Sequence, residues 1–190
     1  MTGSDNNNTD TNTSTVPEHW VFGYGSLMWR PGFDYLHRQA AMLVGYHRAL
    51  SVYSHIHRGT AQQPGLVFGL DHGGSCHGIA YSIAPENWQK TVEYLRAREQ
   101  VTAVYLESNE KITLTEDGNR PVKALTYLVD RNHQQYAGRL GFNQQLELIN
   151  QGTGQSGKCR DYVIATASHL EELGVEDEQL QALAKTLSGR

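Results

Sequence analysis

Glu99 ends the segment "PENWQKTVEYLRARE", in which Trp88, Val92 and Leu95 recur at i, i+4 and i+7, an apolar stripe of the kind that faces a core. Pro85 suits the first turn of a helix over Pro85–Glu99. Eleven residues at about 100° each return the side-chain direction to within roughly 20°, so the stripe extended by one turn lands on Glu99. A carboxylate then points where apolar side chains point. It also stands at a helix C-terminus, where the macrodipole opposes negative charge. Both influences raise a carboxyl pKa and suit the group to taking a proton and returning it. The alternative is that the helix stops earlier and Glu99 pairs with Arg96 or Arg98 at the surface, a common fate of charges at helix ends.

A second stretch with chemical potential is "WVFGYGSLMW". Gly23 and Gly25 interrupt an apolar strand and allow either a bend or a close approach of ligand to backbone. The backbone N–H groups of Gly23, Tyr24, Gly25, Ser26, Leu27 and Met28 can converge on an anionic group, with the Ser26 hydroxyl beside them. A β-bulge or a tight strand end would explain the same glycines. The stretch is not a dinucleotide fingerprint, because Met28 occupies the third glycine position and "RPG" follows where a helix should propagate. "GYGSL" also lacks the GxSxG elbow of a serine nucleophile. His55, His57, His72 and His77 cluster in sequence without a strong metal-ligand spacing, so no metal site is expected.

These residues need elements to position them. Strands are expected at 21–25, 41–52, 66–70, 77–83, 102–106, 111–115 and 122–129, separated by turn signals such as "DHGGS" and "EDGNRP". Helices are expected at Pro85–Glu99, Phe142–Gln151, 160–173 and 177–187, the last two with Leu170, Leu173 and Leu180 inward. Strands in runs, without regular βα alternation, predict an α+β fold built on a small mixed barrel or strongly curled sheet with helices outside. Residues 1–18 are almost wholly polar and read as a disordered tail, leaving one domain over 19–190.

With 190 residues, 38% hydrophobic and 19% charged, the composition is that of an ordinary soluble domain. A net charge of −4 and an isoelectric point near 6.1 argue against nucleic acid as a partner. No segment approaches the roughly 18 apolar residues of a membrane span, and no signal peptide is evident. Cys76 and Cys159 belong to no CxxC, which favours a reducing, cytoplasmic setting.

Five segments, "VFGYGSLMW", "GYHRALSVYS", "YLRARE", "YLVDRNHQQYAG" and "CRDYVIATASHLEELG", together resemble the ChaC family of γ-glutamylcyclotransferases, in its glutathione-specific branch. The resemblance runs from Trp20 to the C-terminal helices. It implies a γ-glutamylcyclotransferase-like mixed β-barrel with surrounding helices, and cleavage of glutathione to 5-oxoproline and Cys-Gly. Because the substrate's own amine can close the lactam, no metal or cofactor is expected. It further implies that the loop Tyr24, Gly25, Ser26 and Leu27 binds the γ-glutamyl group and that Glu99 is the catalytic acid/base. Tyr136, in "HQQYAG", matches a family tyrosine that closes the pocket or hydrogen-bonds the substrate. Where some members carry a basic pair this chain has His47, Arg48 and Ala49, leaving Arg48 as the one full charge there for substrate recognition. Two other readings fit the residues: a cyclotransferase for another γ-glutamyl amino acid or amine, and a non-catalytic small-molecule binding domain of the same fold.

Overall fold

In the computed structural model, which describes residues 18–189, five strands close a barrel and four helices follow or flank them. The order along the chain is β1 (His19–Gly23), a 3-10 turn (Ser26–Met28), β2 (His37–Ser54), β3 (Gly65–Ile83), α1 (Pro85–Glu99), β4 (Tyr105–Leu114) and β5 (Arg120–Val129). Then come α2 (Phe142–Gln151), a small hairpin of β6 (Thr153–Gly154) and β7 (Gly157–Lys158), α3 (Cys159–Glu172) and α4 (Glu178–Ser188). The strands are arranged β1-β3-β2-β4-β5. Parallel contacts of β5 with β1 (Val21 beside Leu125) and with β3 (Leu70 beside Leu128) close the ring.

The polar tail assigned to 1–18 lies outside the described residues except for Glu18. That carboxylate accepts from Trp20 Nε1 at 3.1 Å and pairs with Arg120 at 2.7 Å.

β2 and β3 pair antiparallel from His37 opposite Ser82 to Ser54 opposite Gly65. Sequence alone divides β3 into 66–70 and 77–83 with "DHGGS" as a turn, but the strand runs through that stretch. Gly73 and Gly74 have φ of 97° and 70°, and Gly45 on β2 has φ of 97°. The register shifts between Val44 and Tyr46. Left-handed glycines therefore bend a paired ribbon here instead of ending it. β4 is likewise one strand over Tyr105–Leu114 where two were expected, because the polar run Glu107–Glu110 stays paired to β5. Pro85–Glu99 and Phe142–Gln151 form as read, while α3 begins and ends one residue earlier than expected and α4 one residue later.

The core packs on both faces of the barrel wall and includes Val21, Phe22, Leu66, Leu70, Tyr81, Ile112, Leu114 and Leu125, all nearly inaccessible. It continues outside under Leu170, Leu180, Leu183 and Leu187. Leu173, expected inward, caps α3 and is 38% exposed.

Candidate active site

β1 ends at Gly23, and the chain at once winds into the 3-10 turn. Met28 N–H donates to Gly25 O at 2.9 Å and Arg30 N–H to Ser26 O at 2.8 Å. Leu27 and Met28 are buried, and the Tyr81 hydroxyl lies 2.9 Å from both of their carbonyl oxygens. The loop folds back tightly on the strand it leaves: a Cβ on Gly23 would sit 2.9 Å from Leu27 Cβ. Among the described residues, nothing accepts a hydrogen bond from the amides of Gly25, Ser26 or Leu27. Where a side chain at Gly25 would begin, the nearest atom is the Tyr162 hydroxyl at 3.6 Å.

The loop lines one wall of a cavity of about 580 Å³. Glu99 lines it from the end of α1. Thr91, Val92 and Leu95 are buried and Trp88 is half-buried, so the stripe faces inward and carries the carboxylate with it. The Glu99 side chain keeps 20% of its surface accessible. Burial pushes its pKa above the usual carboxylate range, and the nearby Arg98 guanidinium offsets only part of that. The helix runs through to Glu99 instead of stopping earlier. Of the two pairings considered, Arg98 Nε is 3.2 Å from Glu99 Oε1, while Arg96 pairs with Glu107 at 2.7 Å.

Phenols surround this carboxylate. Tyr24, Tyr105 on β4, Tyr127 on β5 and Tyr162 on α3 all line the cavity. Their pKa values are raised, first by burial and further by the charge on Glu99, so they stay protonated and able to donate. Tyr105 gives its hydroxyl to Phe68 O at 2.7 Å. Among the described residues, Arg30, Arg58 and Arg98 line the cavity with Glu99 as the single Asp or Glu, an electrostatic balance that suits an anionic ligand.

Of the residues singled out by sequence, Tyr24, Gly25, Ser26, Leu27 and Glu99 come together around the cavity. Gly23 and Met28 hold the loop from behind. Arg48 lies outside the lining: it donates Nε–H to Tyr24 O and Nη2 to His77 O, with Met28 Sδ at 3.9 Å. Tyr136 is also outside the lining and gives its hydroxyl to Asp71 Oδ2 at 2.7 Å, beside the Arg131–Asp71 pair at 2.6 Å. His55 and His57 line the cavity but His72 and His77 do not. Among the described residues no three His, Cys, Asp or Glu side chains gather as metal ligands, and no helix is long and apolar enough to cross a membrane.

Sequence reading missed Arg98 and the tyrosines at 105, 127 and 162. Arg98 carried a signal as the neighbour of Glu99, whereas the tyrosines sit in strands and a helix where they read as core.

A closed barrel beside a cavity lined by phenols and a carboxylate defines a protein with a site of small-molecule size. The fold is that of the γ-glutamylcyclotransferases. It matches the crystal structure of a selenomethionine-labelled yeast γ-glutamyl cyclotransferase specific to glutathione, with a TM-score of 0.82 and 23% identity over 92% of this chain and 97% of that one. The family model described as ChaC-like protein matches residues 19–190, and the chain belongs to the ChaC family. It is 34% identical over 164 residues to the glutathione-specific γ-glutamylcyclotransferase of Escherichia coli K12, spanning 86% of this chain and 70% of that protein. It is 33% identical over 169 residues to human glutathione-specific γ-glutamylcyclotransferase 1, spanning 86% and 76%.

Proposed function

We propose that this chain is a γ-glutamylcyclotransferase acting on glutathione, with Glu99 as general acid/base and the 24–27 loop as the seat of the γ-glutamyl group. In a γ-glutamyl amide the α-amine can reach its own side-chain carbonyl and close a five-membered lactam. The substrate thus supplies the nucleophile, and no water is consumed. Intramolecular attack is worth effective molarities on the order of 10⁵–10⁸ M when the chain is held folded back.

Two protons leave the α-nitrogen. The first, shed by the α-ammonium before attack, passes to solvent and is regained by the Cys-Gly amine after release. Glu99 takes the second from the ammonium centre created as the new C–N bond forms. The tetrahedral oxyanion draws on the free amides of Gly25, Ser26 and Leu27. As the old C–N bond breaks, the protonated Glu99 returns the proton to the departing cysteinyl amine, releasing 5-oxoproline and Cys-Gly. The cationic lining favours a substrate with two carboxylates and one ammonium. The observation that carries the proposal is Glu99, a carboxylate on an apolar helix stripe, inside the cavity, with its pKa raised by burial. A binding domain has no need of such a group.

The reaction calls for no metal, cofactor or nucleic acid. Residues 19–190 serve as one catalytic domain, and the free, buried thiols of Cys76 and Cys159 suit the reducing cytoplasm we assign to it. The test is product analysis of the purified protein with reduced glutathione. Equimolar 5-oxoproline and Cys-Gly are expected; free glutamate with Cys-Gly, or no product, contradicts the proposal.

A further inference from the structure

Arg98 sits between the two halves of the site, and every nitrogen of its guanidinium is engaged by protein. Nη2 donates to Ser26 Oγ at 2.9 Å. Nη1 reaches Arg30 O at 2.7 Å, Pro31 O at 3.2 Å and the Tyr94 hydroxyl at 3.1 Å. Nε is 3.2 Å from Glu99 Oε1. Adjacent residues on a helix do not face each other, so it takes the acceptors at Ser26, Arg30 and Pro31 to draw this side chain around the helix end onto its neighbour. Gly32, with φ of 75°, belongs to the same arrangement, because a Cβ there would collide with the Tyr94 hydroxyl.

We propose that Arg98 is a positioning residue that locks the 24–27 loop and the Glu99 carboxylate into one rigid unit. The proposal rests on Glu99 being the proton carrier. Nη1 is spent on protein acceptors and Nη2 is tied to Ser26, so the side chain is committed first to holding the protein together. Its fork is what the task requires: a planar guanidinium bonds in several fixed directions at once, which the point charge of a lysine cannot do. Arg98 approaches Glu99 through Nε, and its charge offsets only part of the upward shift that burial imposes on the carboxyl pKa. The other titratable groups facing Glu99 are the neutral phenols of Tyr24, Tyr105, Tyr127 and Tyr162. Arg30, Arg58, His55, His57, Tyr53 and Tyr94 share the cavity lining.

The test compares wild type, Arg98→Met and Arg98→Lys, with two readouts. The first, without substrate, is a ¹³C NMR titration of the glutamate carboxylates, with Glu99→Gln identifying the resonance. Glu99 is expected to titrate at higher pH in Arg98→Met, and Arg98→Lys to move it part of the way back. The second is glutathione turnover. For Arg98→Met, kcat is expected to fall about 10- to 100-fold, as misplaced reacting groups do, and the acid limb should move to higher pH with the NMR value. Should Arg98→Met fail to fold, Arg98→Lys alone must show the loss in kcat with its charge retained. An unmoved Glu99 titration, or kcat within threefold of wild type in the folded variant, overturns the proposal. Wild-type protein that releases no 5-oxoproline would instead sink the functional reading, leaving the NMR titration to judge Arg98.

Discussion

Arg48 donates its Nε–H to the carbonyl oxygen of Tyr24, the residue at which the chain leaves β1 for the cavity wall. Its Nη2 reaches His77 O on β3, so the loop is pinned to the barrel by a residue outside the cavity lining. The consequence is a loop whose carbonyl at 24 faces the barrel and whose next three amides are left free. Arg48→Met keeps an apolar stem near Met28 but loses both bonds. Hydrogen bonds to charged groups are worth about 1.5–3 kcal/mol each, so a loss of at least about 1.5 kcal/mol should appear in denaturant unfolding. The KM for glutathione should rise with it. A variant as stable as wild type would show that the clamp has no energetic role.

Gly25→Val tests whether substrate lies against the loop. A Cβ at Gly25 would start 3.6 Å from the Tyr162 hydroxyl, an ordinary contact, so a valine side chain would begin in the cavity wall and take up space there. The protein should fold, with kcat/KM for glutathione at least about 100-fold lower, since reacting groups displaced by 1 Å already cost that much. Circular dichroism and steady-state kinetics check both halves. Wild-type activity would place the substrate elsewhere.

What sequence could reach was local. The end of α1 was legible because Pro85 and the stripe Trp88, Val92 and Leu95 fix both the helix and the face on which Glu99 emerges. The glycine loop was legible as a loop. The continuity of β3 was not, because a turn and a paired bend make the same demand for positive φ, and Gly73 and Gly74 meet it in either case. Arg48 and Tyr136 read as ligands because their partners are invisible locally: Tyr24 O lies 24 residues from Arg48, and Asp71 lies 65 residues from Tyr136. Arg98 read as a surface ion-pair partner for the same reason, its acceptor Ser26 being 72 residues away.

The proposed reaction takes its nucleophile from the substrate's own amine and its proton carrier from Glu99, and so calls for no metal. Turnover of glutathione by protein incubated with EDTA should match untreated protein. Loss of activity on chelation, restored by a divalent cation, would contradict the proton-transfer mechanism.

Glu99 should cost the fold stability where it is charged. Its folded pKa is raised by burial above the unfolded value, so the folded state holds its proton more tightly and stability falls as pH rises between the two values. Glu99→Gln removes the charge. The variant should be at least as stable as wild type at pH 7, with the difference vanishing below the unfolded carboxyl pKa of roughly 4.3. Denaturant unfolding at several pH values reads this directly. A variant markedly less stable at pH 7 would mean that the carboxylate is held for structure.

The most direct measurement is the turnover of Glu99→Gln beside its equilibrium binding of glutathione, as a function of pH. Glutamine keeps the size of the side chain but cannot accept the ammonium proton. The account predicts a folded protein that still binds glutathione, with kcat lower by at least about 100-fold, within the usual range for lost acid/base catalysis. In wild type, kcat should fall as pH drops through the raised pKa of Glu99, and that limb should be absent from the residual activity of the variant. A folded Glu99→Gln protein turning over within about threefold of wild type, with the acid limb intact, would contradict the central claim.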